Sequence, residues 1–93
     1  MPRKSGTELM MAFVQEYLDG ERDRLGFDLD FNHYLIQYYP SMERKNRDLA
    51  DCFYFYLAEE GFDQGQELSD SDHKKLIRRQ YNKLKAAIRD GFF

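Results

Sequence analysis

Apolar side chains recur along most of this chain at the three- and four-residue intervals of an amphipathic α-helix. In the first segment Leu9, Met10, Phe13, Val14, Tyr17 and Leu18 share one broad face. Ahead of them, Ser5-Gly6-Thr7-Glu8 has the form of a capping box, in which the Ser5 hydroxyl accepts from the Glu8 N–H while the Glu8 carboxylate reaches back. Gly20 supplies a stop. The spacing predicts a helix over 7–19.

The charged stretch 20–26 is bounded by Gly20 and Gly26 and reads as an exposed loop or frayed turn. Asp30 or Asn32 then caps a short second helix carrying Phe31, Tyr34, Leu35 and Tyr38 on one face. Pro40 ends it at Tyr39, because the residue before a proline is pushed out of the α region. Ser41 is the next cap candidate. From Met42 to Glu60 there is neither Gly nor Pro, Leu49, Phe53, Tyr56 and Leu57 keep helical spacing, and Gly61 closes the run. By composition 52–57 also suits a buried strand, but the flanking residues are strong helix formers and no second strand is on offer for pairing.

Residues 62–69 read as a loop, after which Asp70, Ser71 or Asp72 caps a last helix over 72–90. Its pattern is the clearest in the chain. Leu76, Ile77, Tyr81, Leu84, Ala87 and Ile88 occupy one side, and Lys74, Lys75, Arg78, Arg79, Lys83, Lys85 and Arg89 the other, until Gly91 stops it. Phe92 and Phe93 follow as a short apolar tail. The expectation is an all-α protein, a compact bundle or orthogonal array of about four helices, in a single domain over 1–93 with a short flexible N-terminus at 1–5.

Composition agrees with a packed core: 42% of the 93 residues are hydrophobic and 33% charged. Eight Phe and seven Tyr but no Trp make that core aromatic, and each tyrosine hydroxyl needs a polar partner or the surface. The single cysteine, Cys52, cannot close an internal disulfide, which suits a reducing compartment; it reads as a small buried hydrophobe, not a nucleophile. No apolar stretch approaches the ~20 residues of a membrane span. The basic 1–6 segment is not followed by the apolar core of a secretion signal. A cytoplasmic protein without membrane contact is expected.

Motifs for chemistry are missing. Asp28-Leu29-Asp30-Phe31-Asn32 matches the first three ligand positions of a calcium loop, but His33 and Tyr39 stand where that loop needs Gly and Glu. His33 and His73 have no partner at zinc-ligand spacing, and Gly61 with Gly65 is too little for a phosphate-binding loop. Acid pairs such as Glu59-Glu60 and Asp70-Asp72 flank loops and helix ends, where they are solvated rather than perturbed. No enzyme activity, metal or cofactor is expected.

Charge is the feature that remains. Residues 1–72 hold seven Lys or Arg against sixteen Asp or Glu, a balance of −9, whereas 73–93 hold seven against one, a balance of +6. In the plainest reading the basic face lies against the acidic helices of the same molecule. In the reading preferred here it serves a protein partner, with Tyr38, Tyr39, Tyr54 and Phe92 as aromatic anchors, so that the chain acts as a small regulator, inhibitor or adaptor. The alternative is nucleic acid, contacted by Lys74, Lys75, Arg78, Arg79, Asn82, Lys83, Lys85 and Arg89. The 81–93 segment resembles a helix-turn-helix recognition helix, although the 61–69 loop before it is longer than the usual tight turn. A membrane-surface helix would need Leu76, Ile77, Leu84 and Ile88 outside the core. Phe92 and Phe93 can also seal a homodimer.

Overall fold

Helices make up all the regular structure among residues 6–91, which the computed structural model of the chain describes; there is no strand among them. The order is α1 (Gly6–Leu18), α2 (Arg24–Lys45), α3 (Arg47–Phe53), a π-helical segment (Tyr54–Asp63) that continues α3 without a break, and α4 (Asp70–Arg89). Contacts divide the chain into a first unit, Met1–Ala50, and a second, Asp51–Phe93. The Ser5 cap, the 1–5 segment and the Phe92-Phe93 tail lie outside the described residues.

In the first unit α1 and α2 form an antiparallel hairpin. The sequence stop at Gly20 is a Schellman motif: Gly20 adopts φ +86°, its N–H donates to the Tyr17 carbonyl (3.2 Å), and the Glu21 N–H donates to Glu16 (2.9 Å). The interface is aromatic. Phe27 stacks on Tyr17 with centroids 4.4 Å apart and on Phe13 at 5.4 Å, while Tyr34 meets the Phe13 ring edge-on at 5.2 Å. At the other end of the hairpin the backbones come close enough that a Cβ on Gly6 would lie 2.7 Å from Ser41 Oγ and 3.2 Å from the Tyr38 carbonyl oxygen.

Several expectations for this unit are overturned, the Asp30 or Asn32 cap among them. The 20–26 stretch is not all loop, because Asp23 caps a helix that begins at Arg24: its backbone is extended (φ −83°, ψ 174°) and its carboxylate accepts from the Gly26 N–H. Pro40 does not end that helix. It is exposed, so the Ile36 carbonyl it leaves without an N–H faces the wet side, where water can serve it. Beyond it Met42 is 1% exposed, and packing there holds the chain helical against the local preference. Ser41 is no cap either; its hydroxyl donates back to the Tyr38 carbonyl at 3.1 Å.

The actual break is at Asn46, inside what the sequence suggests is one helix over 42–60. Asn46 is extended (φ −159°, ψ 97°), and it ends α2 by donating its N–H to Met42. Its side-chain oxygen then accepts from the Leu49 N–H at 3.1 Å and starts α3.

In the second unit the π-helical segment packs antiparallel on α4. Phe53, Leu57 and Phe62 are buried at four- and five-residue intervals, the spacing that i→i+5 winding keeps on one side. Gly61 does not stop this helix; it is the point at which Ile77 comes near, 3.1 Å from where a Cβ would sit. The cap of α4 is Ser69, not Asp70, Ser71 or Asp72: the Ser69 Oγ accepts from the Asp72 N–H at 3.2 Å. Asp70 and Asp72 fall in the first turn, where they favour the positive end of the helix dipole. His73, Ile77, Gln80, Tyr81 and Leu84 line its buried side.

Candidate partner-binding surfaces

A helix turning once in 3.6 residues sends positions 74, 75, 78, 79, 82, 83, 85 and 89 into one half-circle, and α4 is unbroken across them. The structure therefore gathers all eight basic-face residues on one side of one element. Lys74 is half-buried; Lys75, Arg78, Arg79, Asn82, Lys83, Lys85 and Arg89 are exposed. From Lys74 to Arg89 the face runs about 22 Å, and no acidic residue interrupts it. Lys85 lies over the Tyr81 ring with its Nζ 5.3 Å from the centroid, so part of its stem covers the rim of the core. Arg89 meets Asp90 at 3.6 Å, an exposed pair of the kind that contributes little.

The aromatic candidates are divided. Tyr38 and Tyr39 are half-buried in the first unit, and Tyr54 is exposed in the second. Phe92 lies outside the described residues. Phe55, which the periodicity does not single out, is the more exposed neighbour of Tyr54, and the two are 47% and 39% open.

Tyr38 has a definite place. With Leu9, Met10, Ala12, Phe13, Glu16, Arg22 and Tyr34 it lines a half-open groove of about 230 Å³ between α1 and α2. Arg22 closes one side: its Nε donates to Glu16 at 2.7 Å, its Nη1 reaches Asp30 at 3.4 Å, and its guanidinium carbon sits 4.6 Å from the Phe13 centroid. An arginine held by two carboxylates and a ring is a fixed wall of the hairpin whose cation is already paired.

A surface that the pattern reading missed lies on α2. Leu25 and Leu29 are each 68% exposed and Ile36 is 76% exposed, on the side opposite Phe27, Phe31 and Met42. The signal was their spacing of four and seven residues, but it has meaning only when 25–36 is one helix and not a loop followed by a cap.

Partial burial pushes the Cys52 thiol up from its ordinary value, away from the thiolate that nucleophilic work needs. Among the described residues no group of three or more His, Cys, Asp or Glu is placed to hold a metal ion. No described helix is long and apolar enough to cross a membrane. Neither a protein-family model nor a curated protein nor a solved structure matches the chain.

Proposed function

We propose that this chain is a non-catalytic binding protein, a small cytoplasmic regulator, inhibitor or adaptor, that engages an acidic protein surface through the basic face of α4. The observation that carries the reading is the exposure of Lys75, Arg78, Arg79, Lys83, Lys85 and Arg89 along one uninterrupted face. Charge laid out in this way steers a complementary partner and fixes its register, and arginine is among the residue types that most often carry interface energy. Tyr54 and Phe55 in the same unit are available as apolar anchors.

Nucleic acid is the second reading. Asn82, exposed in the middle of the cationic face, favours it, since an amide among arginines and lysines suits sugar, phosphate and base edges. Against it stand Glu59, Glu60, Asp63, Glu67, Asp70 and Asp72, all exposed in the same unit. A polyanion is repelled by these, whereas a folded protein surface of mixed charge can match them.

Two measurements on the full chain test the reading. Fluorescence anisotropy against mixed-sequence duplex DNA, at low and at physiological salt, is expected to stay flat. Proteins retained from a lysate by the wild type should be lost with the Arg78→Glu, Arg79→Glu, Lys83→Glu triple variant, while its thermal midpoint is unchanged. DNA binding with a steep salt slope moves the face to the nucleic-acid reading. A triple variant that is destabilised, with high salt reproducing the effect on the wild type, makes the face an internal electrostatic contact.

A further inference from the structure

We infer that α2 is a contact surface for a second copy of this chain, packed antiparallel along a seam of Leu25, Leu29, Asn32, Ile36 and Tyr39. The inference is independent of the basic face. These positions are spaced four, three, four and three residues apart, the 3.5-residue repeat that keeps one line of side chains facing a partner helix. Leu25, Leu29 and Ile36 are 68%, 68% and 76% exposed, more open than the other exposed large hydrophobic side chains among the described residues. The seam spans about 21 Å of helix, and an apolar line of that length facing water marks a docking site.

Self-complementarity and charge identify the occupant. A two-fold axis between positions 32 and 33 sets Leu29 of one copy against Ile36 of the other, twice, and Leu25 against Pro40. Asn32 then meets His33 at the centre, where a polar pair inside an apolar seam fixes register. At each end the same operation brings the start of α2, where Glu21 and the Asp23 cap stand, near the basic last turn of the other copy, which holds Arg44 and Lys45. Antiparallel helix dipoles add to this. A parallel arrangement would instead oppose Arg44 and Lys45 to their own copies and Glu21 and Asp23 to theirs.

Sedimentation equilibrium of the full chain over a concentration series tests the contact. The wild type is expected to dimerise, and Ile36→Glu to weaken association by about a hundredfold with unchanged helical circular dichroism, because the side chain it replaces is outside the core. Leu29→Gln is the milder second variant, expected to weaken association in the same direction. Orientation is read by disulfide trapping on a Cys52→Ala background. Leu29→Cys mixed with Ile36→Cys should give a crosslinked pair, and Leu29→Cys alone should not. A wild type that stays monomeric, or a dimer indifferent to Ile36→Glu, overturns the proposal, and a Leu29→Cys self-crosslink overturns the antiparallel arrangement.

Discussion

The Asp23 carboxylate accepts a hydrogen bond from the Gly26 backbone N–H at 2.7 Å, and this single contact starts the longest helix among the described residues directly after the 19–23 connection from α1. The first four N–H groups of any α-helix lack intrahelical acceptors, and a side-chain oxygen at the cap serves one of them. Replacing Asp23 with Ala is expected to lower stability by about 1 kcal/mol, while Asp23→Ser, which keeps an acceptor, should lose only part of that. Urea titration followed by circular dichroism distinguishes the two variants.

Phe27 is fully buried and stacks on two rings of α1 at once, Tyr17 and Phe13. Its truncation removes both stacks and leaves a cavity in the hairpin. Phe27→Ala should therefore cost about 3–5 kcal/mol, enough to abolish a cooperative transition of the first unit, whereas Phe27→Leu retains most of the buried volume and a folded state. Near-ultraviolet circular dichroism, which reports immobilised aromatic rings, should collapse for the first variant and persist for the second.

Gly65 tolerates no side chain. A Cβ there would lie 2.9 Å from the Gly61 carbonyl oxygen, a backbone atom that cannot step aside, and 2.9 Å from Cδ2 of the fully buried His73. Gly65→Ala is expected to destabilise the second unit by about 1–3 kcal/mol. A useful contrast is Gly91, where φ is +81° but nothing lies within 4 Å of the new Cβ, so only backbone strain of about 1 kcal/mol applies. Thermal melts of the two alanine variants should separate them in that order.

Cys52 supplies a pH dependence. Burial holds its thiol above the ordinary value, so the folded chain keeps a proton that the unfolded chain releases. The contribution to stability is complete below the ordinary thiol range and is lost as pH rises through that range toward the folded value. Wild type should consequently lose stability between neutral and strongly alkaline pH more steeply than Cys52→Ala. Alkylation by iodoacetamide at pH 8 should also be slower in the folded protein than in urea.

Much of the fold is legible in the amino-acid sequence wherever the governing interactions are local. The α1 stop at Gly20 and the α4 stop at Gly91 are backbone geometries that only glycine adopts readily, both at positive φ, and they appear where the sequence puts them. The basic face of α4 is equally local: a helix without interruption from Asp70 to Arg89 has to carry Lys74 to Arg89 on the side opposite Ile77 and Leu84. Fold class follows from the same periodicity.

Tertiary structure alone decided the rest. Whether Pro40 ends a helix depends on a contest between one lost hydrogen bond and the burial of the residues beyond it, and the burial of Met42 is not written in the residues next to the proline. The same holds at Asn46, whose extended backbone divides a run that has no Gly or Pro to mark it. Ser69 takes the cap from Asp70, Ser71 and Asp72 because Gly65, packed against His73 and Leu76, sets where the preceding turn can release the chain into α4. The stripe of Leu25, Leu29 and Ile36 exists as a surface only because α2 begins inside the predicted loop and runs on without a break. Local hydrogen-bond geometry is set by near neighbours in sequence, whereas helix continuity is set by which distant side chains are available to be buried against.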